Sequence, residues 1–337
     1  MTGRDRTFAL LRDEGPERLP CLPITMQFAA DLAGIRYRDY ALNARSLVEA
    51  QLRVAETFGF DYVSAISDPA REASDLGAAV VVHDNIPPAI DESHALLADK
   101  SRFADLSGRV EVCGPRMEDR IQAVSMLKER AGDTLLVEGW IEGPCAEAAD
   151  LRGINTLMLD FSDDPAFVLD LFAFVTQMEI GFAKKQIDAG ADIIGIGDAA
   201  ASLVGPAIYR EMVLRYEQEM VRAIHTMGAL VRLHICGNTK RILTEMGQVG
   251  ADIVDLDYYA PVGLARESMG PEQTLLGNID PVRTLRDLEP DGVYDAFRAC
   301  HAAAGSKYIV GPGCEVPRDT NHDNVRAMVQ YASEHQP

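Results

Sequence analysis

ADIIGIGDAAASLVGP, residues 191–206, is the stretch on which the fold turns. In one reading, Ile193, Ile194 and Ile196 form a buried strand, and GIGDAA (195–200) is the GxGxxA turn of a doubly wound dinucleotide-binding sheet. In the other, the strand is one stave of a closed barrel, and Asp198 stands at its C-terminal end. The residues that follow decide between them. Ser202, Gly205 and Pro206 interrupt the chain where a helix would have to open against a pyrophosphate, so the barrel reading is preferred.

Outward from this stretch the same unit recurs. Short apolar runs occur at 20–26, 61–66, 134–140, 191–197, 229–235, 251–257, 274–279 and 307–311. They are rich in Val, Ile and Leu and mostly end in Gly, Pro, Asp or Asn, as strands buried on both faces do. Between them lie amphipathic stretches. One is 165–189, with Phe167, Leu171, Phe174, Val175 and Met178 at helical spacing, and another is 207–227. Eight strands alternating with helices predict an α/β fold, a single (β/α)8 TIM barrel, with residues 1–337 as one domain. The longest irregular piece, 69–117, contains AAVVVHDN (78–85) and reads as an inserted β-arm between the second and third strands.

Composition narrows the function. A formal net charge of −20 repels phosphate backbones and anionic lipid, and no Lys/Arg cluster reverses it locally, so nucleic acid is excluded as a partner. No run of 18 or more uninterrupted apolar residues is present, and no membrane span is expected. The charged opening MTGRDRTFALLRDEG lacks the apolar core of a secretion signal. Cys21, Cys113, Cys145, Cys236, Cys300 and Cys314 are scattered without a CxxC pair, which reads as reduced thiols and a cytoplasmic location.

Barrel chemistry sits where strands end. The polar residues at those ends are Asp68, Glu138, Asp198, His234, Cys236, Asp257, Asn278 and Cys314. The sharpest feature is LHICGN (233–238), in which His234 and Cys236 lie two apart on a strand and so share a face. GPGCEVP (311–317) presents Cys314 from a glycine-rich turn after the eighth strand. One His and two Cys make a three-ligand zinc set with a position left open; equally, a buried Cys is often only a small hydrophobe. Two thiolates and a neutral imidazole cancel the charge of Zn²⁺, which suits holding a soft sulfur better than making hydroxide. No HExxH, GxSxG or P-loop points to another enzyme class.

The order and spacing of several blocks resemble the uroporphyrinogen decarboxylase superfamily, and within it the zinc-dependent corrinoid methyltransferase branch. These blocks are EGWIEGPCAEAADL (138–151), QIDAGADIIGIGDA (186–199), VRLHICGN (231–238), ADIVDLD (251–257), GNIDP (277–281) and GPGCEVP (311–317). The resemblance implies zinc bound by His234, Cys236 and Cys314. It also implies methyl transfer between a corrinoid such as methylcobalamin, carried by a corrinoid-binding protein, and a small-molecule donor or acceptor. That small molecule is a thiol, tetrahydrofolate, or an O- or N-methylated compound. The decarboxylases grip porphyrin carboxylates with an Arg pair, and the matching stretch PITMQFAADLAG (23–34) has no Arg. Cys314 stands where they have a GHG histidine, and Asp150 where they have an active-site Tyr. Only Asp68 in ISD (66–68) matches their strand-end Asp.

On this reading Asp257 is either a fourth or exchangeable zinc ligand or a loop cap, while Asp198 and Glu138 contact substrate or orient His234. Asp68 lines the cavity. Trp140 either stacks on the corrinoid or substrate or simply packs, and Asn278 is either a contact or a turn-former. Met26 and Gln27 are expected to line the cavity and Glu315 to face solvent; Cys21 and Cys300 are expected in the core. A homodimer stays open. Two alternatives stay open beside the transferase: a decarboxylase-like lyase, and a non-catalytic module that binds zinc or corrinoid, for which carboxylates need not converge on the metal.

Overall fold

The computed structural model describes all residues 1–337. Nine strands form: β1 (Tyr62–Ser64), β2 (Val80–Val81), β3 (Ala89–Ile90), β4 (Leu136–Glu142), β5 (Ile193–Gly197), β6 (Leu230–Ile235), β7 (Ile253–Leu256), β8 (Thr274–Leu276) and β9 (Tyr308–Ile309). Seven pair in parallel in the order β1-β4-β5-β6-β7-β8-β9, while β2 and β3 form a separate antiparallel pair. The first apolar run, 20–26, makes no regular strand, yet it occupies the eighth place in the ring. Leu22 N donates to Val310 O (3.0 Å), Val310 N to Pro20 O (2.9 Å) and Asp61 N to Cys21 O (3.2 Å). Pro20 and Pro23 have no N–H to give, so the ladder stops after these bonds.

The connection from β1 to β4 is the longest between neighbouring strands. It carries the helix Arg71–Leu76, the β2/β3 pair, short helical turns and the helix Pro115–Ala131. The helix Pro165–Asp188 matches the expected amphipathic stretch. It is also long and apolar enough, by length and composition, to cross a membrane, although Asp170 and Glu179 interrupt its apolar run. Its Leu171, Phe172, Val175, Met178 and Phe182 are buried within the molecule, and its apolarity comes from that burial. The stretch 207–227 is not one regular helix. A π-helical segment at Tyr209–Val213 separates Gly205–Ile208 from Leu214–Thr226.

Side-chain alternation along the strands divides the molecule. Val137 and Ile141 of β4, Ile194 and Ile196 of β5, Val231, Leu233 and Ile235 of β6, and Val254 and Leu256 of β7 join the large core shared with the helices. The opposite positions fill the barrel in layers. At the bottom, Leu22, Tyr62, Leu136, Ile193, Ile253, Leu276 and Ile309 pack against Leu10 of the N-terminal helix Gly3–Leu11. Above them is a charged layer, where Arg232 donates to Asp255 (2.6 and 3.0 Å) and to Glu138 (3.4 Å), all three fully buried. Ile24, Ile66 and Trp140 close the stack beneath the mouth.

Candidate metal centre

Continuing the inward positions of β6 past Arg232 gives His234 and then Cys236. His234 Nε2 lies 2.8 Å from Cys236 Sγ, and Cys236 Sγ lies 3.8 Å from Cys314 Sγ. Ligand atoms of all three residues fall within 4.8 Å of one another. Cys314 reaches them because the turn after β9 presses on the loop after β7: a Cβ on Gly313 would lie 2.3 Å from Tyr258 N, so only glycine fits.

The imidazole is held from behind. His234 Nδ1 is 3.1 Å from Asp255 Oδ2, itself fixed by Arg232. An Nδ1–H donated to Asp255 leaves the Nε2 lone pair directed at the sulfurs. Burial opposes charge on Asp255, but Arg232 and His234 outweigh it and hold the carboxyl below its ordinary range. Burial likewise disfavours an imidazolium at His234, but Cys236 and Asp255 push its pKa well up. The hydrogen bond shared by the two thiols splits them, with Cys314 well below its ordinary range and Cys236 well above.

This donor set fits zinc. A tetrahedral shell with Zn–S bonds of about 2.3 Å has S···S edges of about 3.8 Å, the separation observed between Cys236 and Cys314. The ligands supply two sulfurs and one nitrogen, a borderline-soft set, and Asp255 stands behind the imidazole as the carboxylate that orients a ligating His.

The three residues border a cavity of about 190 Å³ at the barrel mouth. Ile24, Ile66 and Trp140 form its apolar floor and wall, and Asp68, Glu142 and Glu315 add carboxyls; no Lys or Arg lines it. Asp68 Oδ2 accepts from Arg116 Nη2 (2.7 Å) and Ser67 Oγ (2.9 Å). Burial pushes Glu142 well up, reinforced by Glu72.

The other expected site residues divide by strand parity. Glu138 is not at the mouth: β4 runs on past Trp140 to Glu142, which places Glu138 two inward positions down beside Arg232, and Glu142 is the strand-end carboxyl that the sequence reading missed. Asp198 follows the inward Gly197 and so faces outward. Its oxygens accept from Ala146 N (2.6 Å) and Cys145 N (3.4 Å), capping the helix Pro144–Arg152 and touching neither the cavity nor His234's ring. Asp257 is near the metal ligands, but both its oxygens accept backbone bonds, from Gly237 N (2.8 Å) and Tyr259 N (2.9 Å), so it caps loops and is not one of the converging atoms. Asn278 donates to Asp257 O (2.9 Å) and Ala260 O and ties a turn, away from the cavity. Trp140 lines the cavity and also packs: a Cβ on Gly195 would sit 2.2 Å from its ring. Met26 lines the cavity as expected, whereas Gln27 meets the site only through its backbone.

Glu315 corrects an expectation, since it turns inward. Its Oε1 accepts from Met26 N (3.2 Å) and Gln27 N (2.6 Å), stapling the turn that carries Cys314 to the first run, and burial raises its pKa to about 7. Cys21 and Cys145 are buried, Cys113 and Cys300 are partly so, and none of these four joins the centre.

The uroporphyrinogen decarboxylase (URO-D) family model matches residues 2–335. The methylcobamide:CoM methyltransferase MtbA of Methanosarcina acetivorans is 25% identical over 98% of this chain and 97% of its own length. A uroporphyrinogen decarboxylase of Streptomyces avermitilis is also 25% identical, over 88% of this chain and 83% of its own. Among solved structures, a methyltransferase from Methanosarcina mazei superposes with a TM-score of 0.84 at 21% identity, covering 99% of both chains. The chain therefore belongs to the uroporphyrinogen decarboxylase family and is similar, from end to end, to methyltransferases within it.

Proposed function

We propose that the protein moves a methyl group between a corrinoid borne on a partner protein and a small molecule, at a zinc ion held by His234, Cys236 and Cys314. The observation that carries this reading is the convergence of these three ligand atoms on one small cavity that contains no Arg or Lys. The methylcobamide:CoM methyltransferases among its relatives support it. Bound zinc supplies Lewis acidity, lowering the pKa of a thiol or stabilising a leaving oxygen. The corrinoid supplies the cobalt that carries the methyl group.

The chain's own residues bind, orient and exclude water. Asp255, clamped by Arg232, keeps His234 in one tautomer. Ile24, Ile66 and Trp140 keep the reacting space dry, which favours displacement by a poorly solvated nucleophile. Burial, reinforced by Glu72, raises the pKa of Glu142 at the cavity wall, which suits it to donate a proton to an oxygen or nitrogen leaving group.

The cavity also bears on the substrate. At about 190 Å³ it lies below the roughly 300–1,000 Å³ of sites for drug-sized ligands. Its lining offers carboxyls and no Lys or Arg to pair with an anion, so it favours a small neutral or cationic methylated compound. A polyanionic tetrapyrrole matches neither its size nor its charge, which weighs against decarboxylation.

Cobalamin absorbance tests the proposal. Methylcobalamin loss with acceptors, and its formation from cobalt(I) with donors, are followed across neutral thiols, anionic thiols, tetrahydrofolate, methoxy-aromatics and methylamines. Zinc-dependent turnover with neutral or cationic compounds is expected. Silence across the panel with a competent corrinoid protein present would favour the binding module, and coproporphyrinogen formation at an enzymatic rate would restore the decarboxylase.

A further inference from the structure

Behind the cavity wall, on the far side of Glu142, lies a second group of acids that the methyl-transfer reading does not use. Glu72 on the helix Arg71–Leu76, Glu147 on the helix Pro144–Arg152 and Glu179 on the helix Pro165–Asp188 are each 0% exposed. One carboxylate oxygen from each falls within 4.8 Å of the others. Five of their six oxygens have no hydrogen-bond partner: Glu72 Oε2 and both oxygens of Glu147 and of Glu179. The remaining one, Glu72 Oε1, accepts from Arg71 Nη2 at 2.6 Å. Buried carboxyl groups are ordinarily paired, and five such oxygens without a partner in one place call for a ligand or a proton to meet them.

We infer that Glu72, Glu147 and Glu179 bind one hard divalent cation, of the Mg²⁺, Mn²⁺ or Ca²⁺ class, at a site separate from the His/Cys/Cys centre. The ligand chemistry is all oxygen, which these ions prefer and which disfavours the softer metals suited to Cys236 and Cys314. Three carboxylates with Arg71 leave two negative charges, which one divalent ion neutralises. A spread of up to 4.8 Å suits a shell of radius 2.0–2.6 Å, in which opposite ligands lie about 4–5 Å apart. Three helices each contribute one ligand, so the ion would tie together the elements that back β4. Arg71, which also reaches Trp140 O at 3.4 Å, links the site to the cavity wall.

The test uses the full chain with Cys236→Ser and Cys314→Ser, which remove the thiolate centre. After chelation, this variant is titrated with Mn²⁺ and read by metal analysis, electron paramagnetic resonance of bound Mn²⁺ and thermal unfolding. The expectation is one Mn²⁺ per chain, displaced by Mg²⁺ or Ca²⁺, and a Tm rise of about 5 °C at a hundredfold excess over the dissociation constant. Glu147→Gln with Glu179→Gln on the same background should lose both. Where that variant does not fold, Glu147→Gln alone must lower Mn²⁺ affinity at least tenfold. Binding that survives these substitutions overturns the assignment. So does absence of binding by all three ions, the result expected if protons alone neutralise the cluster.

Discussion

His234, Cys236 and Cys314 do their work through neighbours as much as through themselves. Replacing Cys236 or Cys314 with Ser should reduce zinc from one per chain to a small fraction under dialysis, as measured by plasma mass spectrometry, because a hydroxyl is a poor substitute for thiolate. Asp255→Asn should keep the three ligands but weaken zinc by about 10–100-fold, since the imidazole loses the carboxylate that orients it. If both Cys variants retain full metal, the ligand assignment is wrong.

Asp198 gives a prediction of a different kind. Burial raises its pKa from 3.8 to about 7, and it neighbours the buried Glu217. The folded state therefore binds this proton more tightly than the unfolded chain. Below about pH 4 both states are protonated and the group makes no difference. As pH rises from about 4 to 7 the unfolded chain ionises first, so this contribution to stability declines, by on the order of a few kcal/mol, and levels off above pH 7. Asp198→Asn still accepts from Ala146 N and cannot ionise. Relative to wild type, its urea-unfolding free energy should gain with pH across that window; parallel pH profiles would refute the assignment.

At the scale of elements, the strands decide what each side chain meets. β5 carries Gly195 inward because the ring of Trp140 on β4 lies against it, and the close approach leaves no room for a methyl group. Gly195→Ala should destabilise the protein by about 1–3 kcal/mol in urea unfolding, the usual range for overpacking. Trp140→Leu should recover part of that loss, giving a coupling in the double-mutant cycle. Additive effects would mean that Trp140 does not occupy the space beside β5. The same parity explains the carboxylates: inward positions gave Glu142 to the cavity and Glu138 to the Arg232 layer, while one residue beyond an inward glycine sent Asp198 out to a helix N-terminus.

For the molecule as a whole, the ring closes where residues 20–22 meet Val310, near opposite ends of the chain. Reading 1–337 as one domain therefore predicts that neither 1–152 nor 153–337, expressed alone, gives a protease-resistant fold, because each would leave open strand edges and half an interior. A stable half would argue for two units.

The sequence alone determined the strand-and-helix alternation, the barrel and the three residues, His234, Cys236 and Cys314, that converge at its mouth. All are written in local patterns: apolar runs of strand length, a two-residue spacing on one strand, and a cysteine in a glycine-rich turn. It also named Asp68 and Trp140 at the mouth. What the sequence left open was decided by tertiary structure. Two prolines cut the first strand to a few bonds. Glu138 and Glu142 exchanged places at the mouth because the end of β4 depends on pairing with β5. Glu315 turned inward because Met26 and Gln27 offered it two backbone N–H groups. Glu72, Glu147 and Glu179 lie on three helices far apart in the chain, and no spacing in sequence records that they meet. Alternation and capping act over a few residues and are legible there; the partner that satisfies a buried charge is set by packing between distant elements, and only the folded chain specifies it.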